Sequence, residues 1–323
     1  VANTDLQWFR FLREMARRHG ARTPEEPFEV NFWTPSGKVP TRLVPGDLVF
    51  FKLKAPVRAV GGFGVFSHAT RLPLWLAWDT FGEANGVPGL EEFARRIAAN
   101  LHGKAKVAEI QRHTIGCLVL VSPVFFEDDA RVPEPADWSA NIVSGKFYDL
   151  ARGEGRRLLE ACRKRAALGP LREEGQDMPG VAATTGAGDA AVPWREGRAR
   201  IRMGQGSFRL RLLDAYGRAC AVTGEHSLPA LEAAHIRPFH EQPGYDPRNG
   251  VILRSDIHRL FDKGYVTITP EYRFEVGRRL REDWHNGRTY YPLHGTEVHV
   301  PEEPALRPDP ALLAWHNENV FLG

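Results

Sequence analysis

Glu232-Ala-Ala-His-Ile-Arg-Pro238, Asn249-Gly250 and Ser255-Asp-Ile-His-Arg-Leu-Phe-Asp262 stand in one short stretch of the chain. Their order reads as strand, return and helix. Leu231 to Ile236 forms a strand that Pro238 ends, which places His235 near the strand's exposed end. Asn249-Gly250 is a turn pair. Ser255 suits a helix N-cap and Asp256 the positive first turn, so that His258 falls within that turn. The expected class is α+β, with this segment folded as a strand, a looping return and a helix around one ion.

Cleaving a phosphodiester in line needs a base to deprotonate water and a cation to neutralise charge on the phosphate and the leaving oxygen. These residues can supply both. His235 can be the base, because an imidazole titrates near neutral pH. Asn249 can bond back to the backbone of the base-bearing segment and fix the ring's orientation. His258 can offer a ring nitrogen to the metal. Arg237, Arg248, Arg254 and Arg259 could each meet the scissile phosphate or its neighbours, and the sequence does not rank them.

The pattern Ala233-Ala-His-Ile-Arg-Pro238, Asn249-Gly250 and His258-Arg-Leu-Phe-Asp-Lys-Gly264 resembles HNH endonucleases of the ββα-metal class, in the subgroup with "AAHI.P", "NG" and "HRLFD" motifs. Arg202-Met-Gly-Gln-Gly-Ser-Phe-Arg209 and Cys220-Ala-Val-Thr-Gly224 extend the resemblance upstream. It implies hydrolysis of DNA with a divalent metal, magnesium or manganese, with nickel or cobalt as substitutes in vitro. Two departures matter. Many relatives carry a metal ligand immediately before the base, where this chain has Ala234. Glu232, on the same side of the strand by alternation, and Asp262, one helical turn after His258, are the candidates to replace it. Many relatives also hold a structural zinc on two Cys-x-x-Cys pairs. Here Thr223 stands where the second cysteine would be, so no structural zinc is expected.

The chain has 323 residues, 42% hydrophobic and 26% charged, which suits two domains of ordinary composition. No apolar run is long enough to span a membrane. Cys117, Cys162 and Cys220 form no close pair, so reduced thiols and a cytoplasmic location are expected. The opening Asp5 to Met15 reads as an amphipathic helix and not a secretory leader. The net charge is only +3, but Arg152, Arg156, Arg157, Arg163, Lys164, Arg165 and Arg172 crowd into one predicted helix, and Arg195 to Arg211 is similarly basic. Such clusters are either a phosphate track or a solvated face. Ser144-Gly-Lys146 lacks the flanking residues of a nucleotide-binding loop.

Residues 169–194 are rich in Gly, Ala, Thr and Pro and read as a flexible linker between an N-terminal domain, 1–168, and the nuclease, 195–323. In the first domain, strands are predicted at 28–33, 48–53, 60–66 and 115–121, and helices at 74–81 and 90–101. Together they give a small curved sheet or barrel with flanking helices. That layout, with Pro45-Gly-Asp47 before an apolar strand and a glycine-rich strand leading to a helix, resembles the PUA superfamily, whose EVE and SRA-like branches read modified bases. Trp33-Thr-Pro-Ser36 stands where EVE domains carry lysine-serine-glutamate-proline. Asn31 and Trp33 share one face of a strand, and Trp75, Trp78 and Asp79 lie on the following helix, so these five could form a pocket for a flipped base. Taken singly, each tryptophan is more readily core than pocket wall.

Joined, the two resemblances imply a modification-dependent restriction endonuclease. The first domain would extrude 5-methyl- or 5-hydroxymethylcytosine from double-stranded DNA, and the second would cut nearby. One such centre cuts one strand, so a duplex break calls for two copies, most simply a symmetric homodimer. The alternatives are an HNH nuclease whose first domain is a modification-insensitive clamp, and a binding module with a relic nuclease fold.

Overall fold

The structure is a computed structural model that describes residues 1–19, 27–101, 110–168 and 204–323. The chain divides into two compact units, Val1–Gly204 and Gln205–Gly323. The segment read as a linker, 169–194, lies outside the described residues, as does Arg172.

The first unit contains β1 (Ala2–Thr4), α1 (Leu6–His19), β2 (Glu29–Thr34), β3 (Leu48–Leu53), β4 (Ala59–Pro73), α2 (Leu74–Phe81), α3 (Leu90–Asn100), β5 (Thr114–Phe125), β6 (Val132–Pro133) and α4 (Gly153–Leu168). The strands form one sheet in the order β1-β3-β4-β5-β2, with β6 also on β4. Only β1 and β3 run parallel. The 15-residue β4 joins β3, β5 and β6. Its register shifts against β5 between Phe63 and Val65 and again between Phe66 and His68. Such bulges bend a strand and raise its twist, and the sheet curls into an incomplete barrel. β4 runs on from Phe66 to Pro73, beyond the apolar run visible in the sequence, because β5 supplies ladder partners as far as Thr114.

Asp5 caps α1 by accepting from the Gln7 and Trp8 amides at 2.9 and 3.0 Å. The helix buries Trp8, Phe9, Leu12 and Met15, and Trp8 meets Phe32 and Phe51 edge-on. On α4, Leu158 and Cys162 pack with Phe50, Val60, Phe63, Phe126 and Val132. The solvent side of α4 is salt-bridged locally: Arg152 to Asp149, Arg156 to Glu160 and Arg157 to Glu154. These pairs make its basic run a solvated face more than an open phosphate track. Beside α4, whose Leu159 and Arg163 border it, is a cavity of about 880 Å³, with Phe32, Thr34, Leu48, Phe50, Leu118 and Tyr148 among its walls.

The second unit contains α5 (Gln205–Ala215), β7 (Leu231–His235), β8 (Gly250–Arg254), α6 (Ser255–Asp262), β9 (Val266–Ile268), β10 (Phe274–Val276), α7 (Arg279–Trp284) and α8 (Pro310–Asn319). β7 and β8 pair antiparallel from Leu231↔Arg254 to His235↔Gly250, and α6 follows β8 without a break. This is the expected strand, strand and helix. Phe208, Leu212, Val251, Ile252, Ile257 and Phe261 form its buried interior. His316 of α8 stacks on Phe261 at 3.8 Å between centroids. Its ring nitrogens meet Thr267 Oγ1 at 2.9 Å and the Phe261 carbonyl at 3.2 Å. Burial lowers the His316 pKa to about 4, so this imidazole is a neutral packing element.

One local expectation is corrected. Ser255 is the first residue of α6 and not its cap; Arg254 takes the cap position, with no side-chain capping bond. Asp256 instead binds Arg254 through two contacts of 2.6 and 2.8 Å and accepts from Tyr290 Oη at 3.0 Å. Asn249 ends the tight turn Pro247–Asn249, as the turn pair suggested, and Gly250 is extended, at φ −143°, and opens β8. Its need for glycine is spatial. A Cβ there would come within 2.6 Å of the Phe208 ring and 2.4 Å of Leu212.

Candidate active site

Gly250 leaves room for Phe208 of α5, and Phe208 carries the His235 ring. The two rings lie flat on each other, 4.4 Å between centroids and 11° between planes. Phe239 and Tyr245 flank the same imidazole. His235 Nε2 is buried and has no hydrogen-bond partner among the described residues. Burial, reinforced by the nearby His258, lowers the His235 pKa below the ordinary imidazole value. The ring is therefore neutral at neutral pH.

Asn249 is buried and grips the chain beyond the imidazole. Its Oδ1 accepts from the Arg237 amide at 2.8 Å, and its Nδ2 donates to the Arg237 carbonyl at 2.9 Å. The Ile236 amide donates to the Asn249 carbonyl at 3.0 Å. The asparagine thus fixes the backbone that follows His235 and, among the described residues, makes no hydrogen bond to the ring itself.

His258, in the first turn of α6, faces a carboxylate at each nitrogen. Nδ1 lies 2.7 Å from Glu232 Oε2 and Nε2 lies 3.4 Å from Asp262 Oδ2. Burial alone would lower its pKa; the neighbouring Asp262 and Glu232 carboxylates outweigh that and raise it. Among the described residues, no three His, Cys, Asp or Glu side chains converge as a metal cage. Glu232 and Asp262 address opposite edges of one ring. An imidazole with a neighbouring carboxylate is still a donor set suited to a hard or borderline divalent cation.

Residues 220–269 match the family model described as "HNH endonuclease". That span holds His235, Asn249, His258, Glu232 and Asp262. No curated protein matches the chain. Among solved structures, the crystal structure of a mutant ZmASCH protein from Zymomonas mobilis is similar over 50% of this chain and 96% of its own, at 13% identity and a TM-score of 0.28.

Within the HNH domain the four arginines now differ. Arg248 pairs with Asp309 at 2.5 Å and Arg254 with Asp256. Arg237 lies over the Trp315 ring at 4.8 Å, with Glu241 at 3.5 Å. Arg259 is exposed on α6 and has no side-chain partner among the described residues. Cys220 is a buried free thiol whose sulfur accepts from the Arg254 amide at 3.3 Å. Phe208 is the contributor that motif reading missed, although it lies in the Gly204-Gln-Gly-Ser-Phe run; only the fold shows that this ring supports the imidazole.

The residues proposed for a base pocket in the first unit are placed differently from the expectation. Asn31 is fully buried, its Nδ2 donating to Asn85 Oδ1 at 2.8 Å and lying 3.3 Å from Cys117 Sγ. Trp33 donates to the Asn85 carbonyl at 2.8 Å, and both Trp33 and Trp78 pack against Phe93 of α3. Trp75 is half-buried and Asp79 exposed. None of the five lines the cavity. The cavity takes Phe32 and Thr34, the alternate residues of the same strand, together with Leu118, which pairs with Phe32. The cavity borders the other face of β2: a period of two gives two equal choices, and α2 and α3 cover the Asn31 side.

Proposed function

We propose that this chain is a DNA endonuclease that cuts near modified cytosine, with the HNH domain as its hydrolytic centre and the N-terminal unit as its reader. The observation that supports the hydrolytic part best is His235: a neutral imidazole held flat on Phe208, with Nε2 free of any partner. In this reading His235 takes a proton from the attacking water, and Asn249 keeps His235 in place by gripping the adjacent backbone. His258, with a carboxylate from Glu232 or Asp262, holds a divalent cation, magnesium or manganese, with nickel or cobalt as substitutes. When bound, that cation supplies neutralising charge to the phosphate and the leaving oxygen. Arg259, unpaired and one residue from His258, meets a phosphate oxygen, while Arg248 and Arg254 hold structure.

For the reader, the cavity replaces the tryptophan face as the place for an extruded 5-methyl- or 5-hydroxymethylcytosine. Its support is chemical: aromatic and aliphatic walls with a few polar groups suit a planar heterocycle. A symmetric homodimer would deliver two cuts to a duplex.

Digestion of matched plasmids, modified and unmodified, in Mg²⁺ or Mn²⁺ tests both parts. The expected result is cleavage of modified DNA only, lost by about 10³-fold in His235→Ala while DNA and metal binding persist. Equal cutting of both plasmids would reduce the first unit to a general clamp, and undiminished cutting by His235→Ala would remove the base assignment.

A further inference from the structure

We infer that Glu232 is a positioning residue and not a metal ligand: it locks the His258 ring in one tautomer, and the cation is held on the opposite edge by His258 and Asp262. The inference rests on the metal-dependent reading of the HNH site given above.

Glu232 projects from β7 opposite Leu253, on the same side as Ala234. Because α6 follows β8 directly, its first turn brings His258 to that carboxylate. An ionised carboxylate only accepts, so the 2.7 Å contact makes His258 Nδ1 the donor. A neutral imidazole that carries its proton on Nδ1 keeps its lone pair on Nε2. That nitrogen faces Asp262, four residues along the helix, at 3.4 Å, beyond the range of a good hydrogen bond.

The two nitrogens of an imidazole point away from each other. An oxygen bonded to Nδ1 and a cation on Nε2 therefore lie on opposite sides of the ring, and Glu232 cannot bond Nδ1 and bind the cation at once. Ala234 offers no donor at the place beside the base. Asp262 is then the carboxylate left on the cation's side. The arrangement is carboxylate, imidazole, cation, in which the outer carboxylate sets the ring's tautomer and raises its basicity as a ligand. Glu232 keeps 43% of its side-chain surface exposed, so the fold does not depend on burying it and the site can be probed by substitution.

Two measurements on the full-length protein test this. Nitrogen-15 NMR of histidine-labelled, metal-free protein at pH 8.5 reports the His258 tautomer; calorimetric titration with Mn²⁺ alone reports affinity. The wild type should show the Nδ1–H form, and Glu232→Ala should lose it and bind Mn²⁺ about 10- to 100-fold more weakly. Glu232→Gln, whose amide oxygen still accepts, should recover most of that affinity, whereas Asp262→Ala should abolish measurable binding. An unchanged tautomer in Glu232→Ala, loss of Mn²⁺ in Glu232→Gln with retention in Asp262→Ala, or no Mn²⁺ binding by the wild type would each overturn the assignment. Neither readout uses DNA cleavage. A protein that binds Mn²⁺ as described but cuts nothing would refute the nuclease reading and leave this one standing.

Discussion

His235 shows how one residue's surroundings decide its chemistry. Stacked on Phe208 and shielded by Phe239 and Tyr245, its imidazole is costly to charge, and the neighbouring His258 adds to that cost. A base must be neutral to act, and a lowered pKa keeps it neutral further into acid. The acid limb of kcat/KM against pH should therefore lie below 6.5, and Phe208→Ala, which admits water to the ring, should move it up toward 6.5. A wild-type limb at or above 6.5 that Phe208→Ala does not shift would contradict the burial argument. His235 was legible in the sequence as a candidate because it stands in a local motif. The sequence could not show Phe208, whose contact with the imidazole arises only when α5 packs against β7 and β8.

Among the elements, α6 and the strand before it separate two kinds of arginine. Arg254 is tied to Asp256, and Tyr290 joins them; the Arg254 hydrogen bond, despite some burial, holds the Asp256 pKa down at about 2. Arg259, exposed on α6, has no side-chain partner among the described residues. Arg254→Ala should lower stability by about 1 kcal/mol, read by thermal unfolding. Arg259→Ala should leave the melting temperature alone while weakening DNA binding and reducing the slope of log K against log salt by about one. The reverse pattern would exchange their roles. Elements such as β3 and α2 were legible to the residue. Leu48 to Leu53 is an uninterrupted strand-forming run after Pro45-Gly-Asp47, and α2 starts directly after Pro73. β4 was read too short because its second half, Ser67 to Pro73, is held by β5 and not by apolar patterning. Which face of β2 borders the cavity was illegible for a different reason: alternation assigns residues of β2 to two faces but does not say which one α2 and α3 will cover.

Across the whole molecule, buried titrating groups link stability to pH. His316 is neutral when folded, with a pKa of about 4 against about 6.5 when unfolded. The unfolded chain takes up a proton first, so this contribution is complete above pH 6.5 and is lost as pH falls from 6.5 toward 4. The loss amounts to at most about 3 kcal/mol. Unfolding of the second unit should therefore occur at lower temperature at pH 4.5 than at pH 7, and His316→Gln should flatten that difference. An unchanged pH dependence in the variant would show that other groups control it. A last consequence follows from the clasp between Arg237 and Asn249, twelve positions apart in sequence. The excursion between them closes at its neck and returns Phe239 and Tyr245 to the His235 ring, while His240 and Glu241 stay exposed at its tip. Lengthening such a loop costs free energy only logarithmically. An insertion at that tip would thus cost the fold little, yet be felt at the His235 ring through the adjoining Phe239.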